Sequence, residues 1–203
     1  MGPTKKIAIY GKSGHGKVLE QIALASGYET VIWIDDRAST ETISFEHFLA
    51  QHPETPVALG IGSNQARQKV YDKLKHAHVE VTTLIHPSAV IAADVTIGEG
   101  SVIMPLAVVN AAARIGIAAI INTHSCVEHE CRIAAFVHLS PHVALGGNVT
   151  VGPLTHVGIG SSVIQNITIG SDTVIAAGST VIQDLPERVM AAGTPARIKK
   201  ERS

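Results

Sequence analysis

Aromatic residues are scarce in this chain of 203 residues: they make up 3% of the sequence, whereas hydrophobic residues make up 45%. A core with so few rings must be built from valine, isoleucine, leucine and alanine. Narrow layers of such side chains suit a repeated β scaffold better than a helical bundle. The length allows one large domain or two modest ones, each able to bury a core.

The sequence also lacks an excess of charge, a long apolar run and a cysteine framework. Sixteen basic residues are balanced by seventeen acidic ones, so nucleic acid is not an expected partner. No apolar run reaches the roughly 18 residues of a membrane span. The two cysteines, Cys126 and Cys131, are too few for a disulfide scaffold, and a reduced, cytoplasmic protein is therefore expected.

What the second half has in abundance is an aliphatic residue at every sixth position. The series is Ile85, Ile91, Ile97, Ile103, Val109, Ile115, Ile121, Val127, Ile133, Leu139, Leu145, Val151, Val157, Val163, Ile169, Ile175 and Val181. Valine, isoleucine and leucine are together roughly a quarter of ordinary sequence, so chance does not produce this run. Glycine or another small residue often follows the aliphatic one, as in IGEGSV and VGPLTH, which suits tight corners between short strands.

This periodicity predicts a parallel β-helix with three short strands per coil, in which residues eighteen apart stack and the aliphatic series points inward. The pattern resembles the hexapeptide-repeat acyltransferases from residue 85 to the ending AAGTPARIKK. The resemblance implies that the β-helix is left-handed and triangular and that the working unit is a homotrimer. The predicted β-helix domain, with its C-terminal tail, spans residues 85–203.

The first 84 residues carry alternating strand and helix patterns. The stretch KKIAIYGKSGHGKVLEQIALASGYETVIWIDD predicts a strand, a glycine-rich turn, a helix and a second strand. Further on, PVALGIG predicts a strand, SNQARQKVYDKLKHA a helix, and VEVTTLIH a strand that leads into the repeat. The alternation favours a small parallel sheet of Rossmann type. The predicted fold is therefore an α/β N-terminal Rossmann-like domain, residues 1–84, followed by the β-helix.

The glycine-rich turn favours phosphate binding without specifying the nucleotide. Gly11, Gly14 and Gly16 have a G-x-x-G-x-G spacing, which departs from the dinucleotide fingerprint. The amides of the turn and the N-terminus of the following helix can still hold a phosphate, and Asp35 and Asp36 at the end of the second strand can bind ribose hydroxyls or a base edge. On these residues alone, NAD binding and a purely structural role for the glycines both stay open.

The two halves together resemble a narrower family of bacterial sugar acyltransferases, which modify nucleotide-activated sugars and sialic acids. The segments IYGKSGHG, IDD, GIGSNQAR, LIHPSA and NTHSCVEHEC followed by FVHLSP closely resemble the UDP-4-amino-sugar N-acetyltransferases of the diacetylbacillosamine pathway. This resemblance covers the whole chain, and VEHEC is its most specific part. It implies acetyl-CoA as co-substrate, the C4 amine of a UDP-4-amino sugar as acceptor, and no metal.

The segment 122–147 is rich in histidine, and eighteen-residue stacking sorts its histidines into columns. The predicted columns are His124 stacked with His142, His138 stacked with His156, and His129 over Gly147. The missing side chain of Gly147 is expected to leave room for a ligand. Because the histidines fall into three columns, four imidazoles on one metal ion are not expected, unless a trimer brings columns together.

Acyl transfer from a thioester to an amine needs a base, and a histidine, which titrates near pH 6.5, is suited to that role. The family resemblance assigns it to His129 and implies that Glu130 tunes the ring. Alternate strand residues face opposite ways, so Glu130 can reach His129 only at a corner or across a subunit boundary. A cysteine acyl-enzyme on Cys126 or Cys131 is disfavoured, because family members are read as transferring directly within a ternary complex.

The resemblance also implies the binding residues. Ser13, Gly14 and His15 are expected against the nucleotide sugar, with Asp35, Asp36 and Gly62 around the nucleotide, and His138 and Gly147 at acetyl-CoA. Without the resemblance, His15 is an ordinary residue of the first helical turn, and a lone prism histidine is a surface residue.

Three other functions stay open from the sequence. O-acetylation of a sialic acid and N-acetylation of a GDP-linked perosamine keep the fold and change the acceptor. A nucleotide-binding trimer without catalysis is the alternative of another class. The repeats also depart from the usual pattern at IGIAAI and IAAFVH, where apolar residues replace the polar corner residues that are expected, and this puts the local coil geometry in doubt.

Overall fold

The computed structural model describes residues 5–37 and 40–202. Its first part contains β1 (Lys6–Tyr10), α1 (Gly14–Ala25), β2 (Thr30–Ile34), α2 (Phe45–Gln51), β3 (Val57–Leu59) and α3 (Asn64–His76). Strand β1 lies between β2 and β3 in a three-stranded parallel sheet. The predicted α/β alternation is confirmed. Helix α2, which the sequence pattern does not indicate, starts after Ser44, whose hydroxyl accepts a hydrogen bond from the amide of His47 at 3.2 Å.

The strand predicted for VEVTTLIH is largely wrong. Only Val81 forms an isolated bridge, to Val57, before the chain reaches the prism. The segment leaves the sheet early because it must cross to the first coil, where the hydroxyl of Thr83 donates to the carbonyl of Gly98 at 3.2 Å. None of the three helices in the described part of the chain has the length and apolar character needed to cross a bilayer.

Seventeen two-residue strands build the prism. They are β4 (Leu84–Ile85), β5 (Val90–Ile91), β6 (Thr96–Ile97), β7 (Val102–Ile103), β8 (Val108–Val109), β9 (Arg114–Ile115), β10 (Ile120–Ile121), β11 (Cys126–Val127), β12 (Arg132–Ile133), β13 (His138–Leu139), β14 (Ala144–Leu145), β15 (Thr150–Val151), β16 (His156–Val157), β17 (Ser162–Val163), β18 (Thr168–Ile169), β19 (Val174–Ile175) and β20 (Thr180–Val181). Two longer strands, β21 (Val189–Ala192) and β22 (Arg197–Glu201), end it as an antiparallel pair.

Every third strand belongs to the same parallel sheet. The first face contains β4, β7, β10, β13, β16 and β19, the second face contains β5, β8, β11, β14, β17 and β20, and the third face contains β6, β9, β12, β15 and β18. Paired residues are eighteen apart, as Ile120 and His138 are. The predicted three-strand coil is therefore confirmed.

The aliphatic series forms the core of the prism. Its members from Ile103 to Val181 are all buried, at most 4% exposed, and burying each such side chain contributes roughly 2 kcal/mol. The first three members depart from the prediction: Ile85 is 39% exposed, and Ile91 and Ile97 are only partly buried. The reason is positional, because the first coil has no coil beneath it.

The three edges between faces are turned by residues with positive φ. Glu130 (φ 60°) lies on the edge between the second and third faces, and His124 (φ 58°) lies on the edge between the first and second. Ala118 (φ 50°) and Phe136 (φ 59°) lie on the edge between the third and first faces. Such a backbone costs a residue with a side chain about 1 kcal/mol. The positive φ of Ala118 and Phe136 shows that the coil geometry is nevertheless kept at IGIAAI and IAAFVH, despite their unusual residues.

The N-terminal unit packs on the edge between the third and first faces, which explains those unusual residues. Phe136 meets the ring of Tyr71 edge-on, with centroids 5.5 Å apart. Ala118 and Phe136 belong to the same buried cluster as Tyr71 and Leu74 of α3. The side-chain amide of Asn64 donates to the carbonyl of Leu154 at 2.8 Å. Apolar corner residues stand here because this edge is an interface and not a solvent-facing surface.

Candidate active site

His129 and Glu130 form a pair on the edge between the second and third faces. Nδ1 of His129 lies 3.1 Å from Oε2 of Glu130, and the two side chains are 58% and 62% exposed. Glu130 can turn towards the ring of its neighbour because it is the corner residue of its coil. A carboxylate at Nδ1 holds the proton on that nitrogen and leaves Nε2 as the basic atom.

Gly147 lies next to His129, but the space above this glycine is not free. A Cβ atom placed on Gly147 would collide with Nε2 of His129. The expectation that the missing side chain leaves room for a ligand is therefore wrong, since the imidazole itself fills that room. Contact of Gly147 with the cofactor stays a prediction, and its observed role is to admit the His129 ring.

His138 occupies a different environment on the first face. Its ring stacks on His156, with centroids 4.8 Å apart and planes inclined by 4°, which confirms that column. The column of His124 and His142 is confirmed too, with centroids 4.9 Å apart. Burial first, and then the nearby His156, lower the pKa of His138 to about 3. His138 is therefore uncharged at neutral pH.

The tautomer of His138 follows from its neighbours. The carbonyl oxygen of the Asn122 side chain accepts from the amide of Thr123 at 2.8 Å, so the Asn122 NH₂ group is the one that meets Nε2 of His138 at 3.1 Å. Because an NH₂ group only donates, Nε2 of His138 is the acceptor and Nδ1 carries the proton. Nδ1 is buried and makes no hydrogen bond of good geometry among the described residues, and the backbone of Gly62 lies near enough to raise the pKa of the ring. The N–H group of His138 is therefore not exposed to solvent.

Two cavities lie beside the N-terminal unit. The N-terminal cavity, of about 380 Å³, is lined by Tyr10, Gly11, Ser13, Asp35, Asp36, Arg37, Gly60, Ile61, Gly62 and Ser63. The first-face cavity, of about 440 Å³, is lined by Gly62, Ser63, Asn64, Gln65, His138, Leu154, His156, Val174 and Arg202. The N-terminal cavity opens at the carboxyl ends of β1, β2 and β3, which is where parallel sheets bind ligands.

The structure brings most of the expected nucleotide-sugar residues together. Ser13 lies in the turn before α1, and its hydroxyl donates to the carbonyl of Gly60 at 3.3 Å. Gly14 is the first residue of α1. The ring of His15 lies 6.4 Å from that of His138, and burial lowers the pKa of His15 to about 4. Ser13, Asp35, Asp36 and Gly62 therefore share the N-terminal cavity, whereas Gly14 and His15 are not among the residues that line it.

The two acids of the N-terminal cavity have different partners. Asp35 accepts two side-chain hydrogen bonds from Arg37, each 3.1 Å long, which lower the pKa of its carboxyl group. Asp36 accepts from the hydroxyl of Tyr10 at 2.6 Å and from Nζ of Lys73 at 2.7 Å. Burial works against the ionisation of Asp36, but the bonds from Lys73 and Tyr10 outweigh it and lower its pKa.

Sequence reasoning missed several residues around these cavities. Tyr10 and Asn122 stand in the quoted segments IYGKSGHG and NTHSCVEHEC, and Lys73 stands in a predicted helix, but no role was assigned to any of them. Arg67 stands in the quoted segment GIGSNQAR, yet its complete burial could not be deduced from that pattern. The eighteen-residue spacing did place His156 beside His138, although it did not indicate that His156 lines a cavity.

One expected group is not joined to the rest within a single chain. His129 and Glu130 lie on the edge between the second and third faces, whereas both cavities lie at the first face and at the edge that holds the N-terminal unit. Cys126 and Cys131 are both free thiols, and burial raises the pKa of each. Residues 5–37 and 40–202 contain no cluster of three His, Cys, Asp or Glu side chains able to hold a metal ion.

The structure combines a three-faced prism, an α/β unit with a cavity at its strand ends, and an edge histidine paired with a carboxylate. This combination is that of a β-helix acyltransferase. Comparisons narrow this class. Residues 6–74 match the family described as the PglD N-terminal domain. A mutant of GDP-perosamine N-acetyltransferase from Caulobacter crescentus, solved with CoA and GDP-perosamine, is 35% identical, with a TM-score of 0.91 and 97% of each chain covered.

Two further similar proteins are also acetyltransferases by name. The acetyltransferase domain of PglB from Neisseria gonorrhoeae FA1090, solved with acetyl coenzyme A, is 31% identical, with a TM-score of 0.90 over 97% of this chain and 100% of that one. The UDP-N-acetylbacillosamine N-acetyltransferase of Bacillus subtilis (strain 168) is 40% identical over an alignment of 111 residues, and the match covers 49% of this chain and 51%, about half, of that protein. The chain belongs to the hexapeptide-repeat sugar acetyltransferase family, and its prism is the left-handed β-helix expected from the sequence.

Proposed function

We propose that the chain transfers the acetyl group of acetyl-CoA to the C4 amine of a UDP-linked 2-acetamido-4-amino-2,4,6-trideoxy sugar, and so forms a bacillosamine-type diacetamido sugar. The observation that carries the proposal is the 3.1 Å contact between His129 and Glu130 on an exposed edge of the prism. The named activity of the Bacillus subtilis relative supports the choice of acceptor.

In the proposed reaction, the nitrogen of the sugar amine attacks the thioester carbonyl carbon and forms the new N–C bond, while Nε2 of His129 takes a proton from that nitrogen. Glu130 holds the Nδ1 proton and stabilises the imidazolium that forms. The tetrahedral intermediate then collapses, its C–S bond breaks, and the proton on His129 passes to the departing sulfur to give the CoA thiol. No step needs a metal ion.

The binding residues divide between the two parts of the chain. Ser13, Gly14 and His15 are proposed to contact the sugar and its diphosphate, and Asp35, Asp36 and Gly62 the nucleotide. Backbone amides of the prism are proposed to hold CoA, together with Gly147 and His138. The relatives solved with CoA and GDP-perosamine and with acetyl coenzyme A support the two kinds of substrate, a nucleotide sugar and a CoA thioester.

We further propose that each active site lies between two copies in a homotrimer. The support is the separation described above, in which a single chain keeps His129 on one edge of the prism and both cavities at another. A neighbouring copy must bring its own His129 and Glu130 to the cavities. A cytoplasmic location belongs to the same proposal, since both free cysteines suit a reducing compartment.

Mixing of two inactive variants tests the shared site. We expect His129→Ala and Asp36→Ala to be inactive alone and to regain roughly a quarter of the parent activity after equal mixing, unfolding and reassembly, because random assembly pairs an intact His129 with an intact nucleotide site in that share of interfaces. No recovery, with the trimer reassembled, would place the site within one chain.

A second acceptor has specific support. The Caulobacter crescentus relatives act on GDP-perosamine and match the chain over almost its whole length. Asp35 and Asp36 can each accept from the N–H groups of uracil or of guanine, so the pair by itself does not choose between the bases.

The deciding experiment measures free-thiol release from acetyl-CoA with UDP-4-amino sugar, GDP-4-amino sugar and sialic acid as acceptors. We expect rapid release with the UDP-4-amino sugar alone. Release with the GDP sugar or with sialic acid instead would show that this compound is the acceptor. No release with any of the three, in a trimer that still binds UDP, would favour another acyl acceptor or a non-catalytic nucleotide-binding protein.

A further inference from the structure

Arg67 of α3 is a buried charge to which no role in the acetyl transfer has been given. Its side chain is 1% exposed. In the described part of the chain, every oxygen that accepts a hydrogen bond from it belongs to a backbone carbonyl or to the amide of Asn64, and none to a carboxylate. Burial of an unpaired cation is unfavourable unless all its N–H groups are bonded, so this arrangement needs a reason beyond packing.

One side of the guanidinium binds the loop between β3 and α3. Nη1 donates to the carbonyls of Ile61 and Gly62, both at 3.1 Å, and Nη2 donates to Oδ1 of Asn64 at 2.9 Å. Residues 61–63, together with Asn64 at the start of α3, are hereafter the bridging loop. Gly62 and Ser63 of this loop line both cavities, so the bridging loop is the wall that the N-terminal cavity and the first-face cavity share.

The other side of the guanidinium binds the prism. Nε donates to the carbonyl of Ala118 at 2.8 Å, and Nη2 donates to the carbonyl of Phe136 at 2.9 Å. These carbonyls belong to two successive coils, and Phe136 lies two residues before His138. One planar group therefore ties the bridging loop to the stretch of prism that positions His138.

We propose that Arg67 is a positioning residue for the acetyl transfer, which fixes the bridging loop against the prism so that the N-terminal cavity holds a nucleotide sugar with its amine directed to the first face. The inference rests on the proposed function for the identity of that ligand. The guanidinium is suited to the task because its donors have a rigid planar arrangement. A lysine, with a single tetrahedral ammonium group, cannot serve carbonyls on both sides at once.

The test uses Arg67→Lys, which keeps the charge, with Arg188→Lys as the matched control at an exposed arginine that bonds to Glu187. We expect amide hydrogen exchange in residues 60–66 of Arg67→Lys to become about tenfold faster, with the prism strands unchanged. We expect KM for the nucleotide sugar to rise about tenfold, while kcat and KM for acetyl-CoA stay within about twofold. The control should match the parent in all of these.

A purely structural role for Arg67 gives a different result. It would lower the active fraction, and hence kcat, while leaving both KM values unchanged, and that outcome would overturn the proposal. Unchanged exchange in residues 60–66 would overturn it as well. If Arg67→Lys does not fold, Asn64→Ala, which removes one acceptor of the guanidinium and keeps Arg67, should show the same changes at smaller size, and their absence would count equally against the proposal.

The same measurements separate this inference from the proposed function. Calorimetric binding of UDP and GDP, followed with the hydrogen exchange, needs no acetyl transfer. Faster exchange and weaker nucleotide binding in Arg67→Lys, with a parent that acetylates none of the three acceptors, would support the positioning role and reject the proposed activity. Unaltered exchange and nucleotide binding with an active parent would do the reverse.

Discussion

The exposed edge that carries His129 and the buried first face that carries His138 place the same side chain under opposite conditions. His129 is more than half exposed and contacts a carboxylate at 3.1 Å. His138 is stacked on another ring, and burial lowers its pKa to about 3. The first environment suits a group that exchanges protons, and the second suits a neutral hydrogen-bond donor. Residues nine positions apart thus acquire different chemistry from their surroundings alone.

Removal of His129, the exposed histidine of this comparison, should have the largest effect on activity. In His129→Ala we expect kcat to fall by about 10² to 10⁴, because the proposed base is lost while the fold of the prism is kept. His124→Ala is the matched control, since it removes an exposed histidine from another edge, and it should retain nearly full activity. Thiol release measures the activity, and sedimentation measures whether the assembly of the protein is unchanged. Full activity in His129→Ala would show that the base is a different group.

A methyl group at Gly147 should disturb the same edge without removing the base. In Gly147→Ala the new Cβ would collide with the His129 ring, and a displaced base lowers kcat by about 10²-fold. The stability of the prism should change little, since the ring lies at the surface and can move outward. Steady-state kinetics measures kcat, and thermal unfolding measures the stability of the prism. An unchanged kcat would mean that the position of the His129 ring is not important for the reaction.

Loss of the Glu130 charge should have a smaller effect on the edge. In Glu130→Gln the side chain keeps its length but no longer stabilises an imidazolium, so we expect kcat to fall about tenfold with both KM values unchanged. Glu187→Gln, at an exposed carboxylate in the last part of the prism, provides the control. A loss as large as that of His129→Ala would instead make Glu130 an essential partner of the base.

For His138, the buried histidine, we expect a change in the pH dependence of stability, and this is the smallest of the expected effects. An unfolded histidine titrates near pH 6.5, whereas the folded chain lowers the pKa of His138 to about 3 and that of His15 to about 4. Below pH 6.5 the unfolded chain therefore binds more protons, and the free energy of unfolding must fall as the pH is lowered. In His138→Gln this fall should be smaller by about 1–2 kcal/mol between pH 7 and pH 5. Denaturant unfolding at both pH values measures it, and an equal fall in parent and variant would contradict the buried, neutral state of His138.

The prism was predictable because its information is periodic. Each hexad repeats the same local demand, so the aliphatic series determines which residues face inward, and stacking at eighteen residues follows from three hexads per coil. The pairing of His138 with His156 and of His124 with His142 was available from this arithmetic. So was the position of His129 over Gly147, although not the fact that the ring occupies the space above it.

The N-terminal unit was predictable only in outline. Strand and helix patterns identified β1, α1, β2, β3 and α3, and they failed for the crossing segment near Val81, whose conformation depends on where the prism begins. The partners of Asp36 come from Tyr10 and Lys73, which are 26 and 37 residues away along the chain. No local pattern encodes contacts at such separations.

The sequence by itself therefore determined the coil, its inward residues and the candidate chemistry of His129 and Glu130, because periodicity and motif are properties of neighbouring residues. Only the tertiary structure decided which histidine is exposed and which is buried, and which edge of the prism receives the N-terminal unit. The complete burial of Arg67 was decided in the same way. Burial and hydrogen bonding depend on residues that are distant in the chain: the guanidinium of Arg67 reaches Ala118 and Phe136, 51 and 69 positions further on.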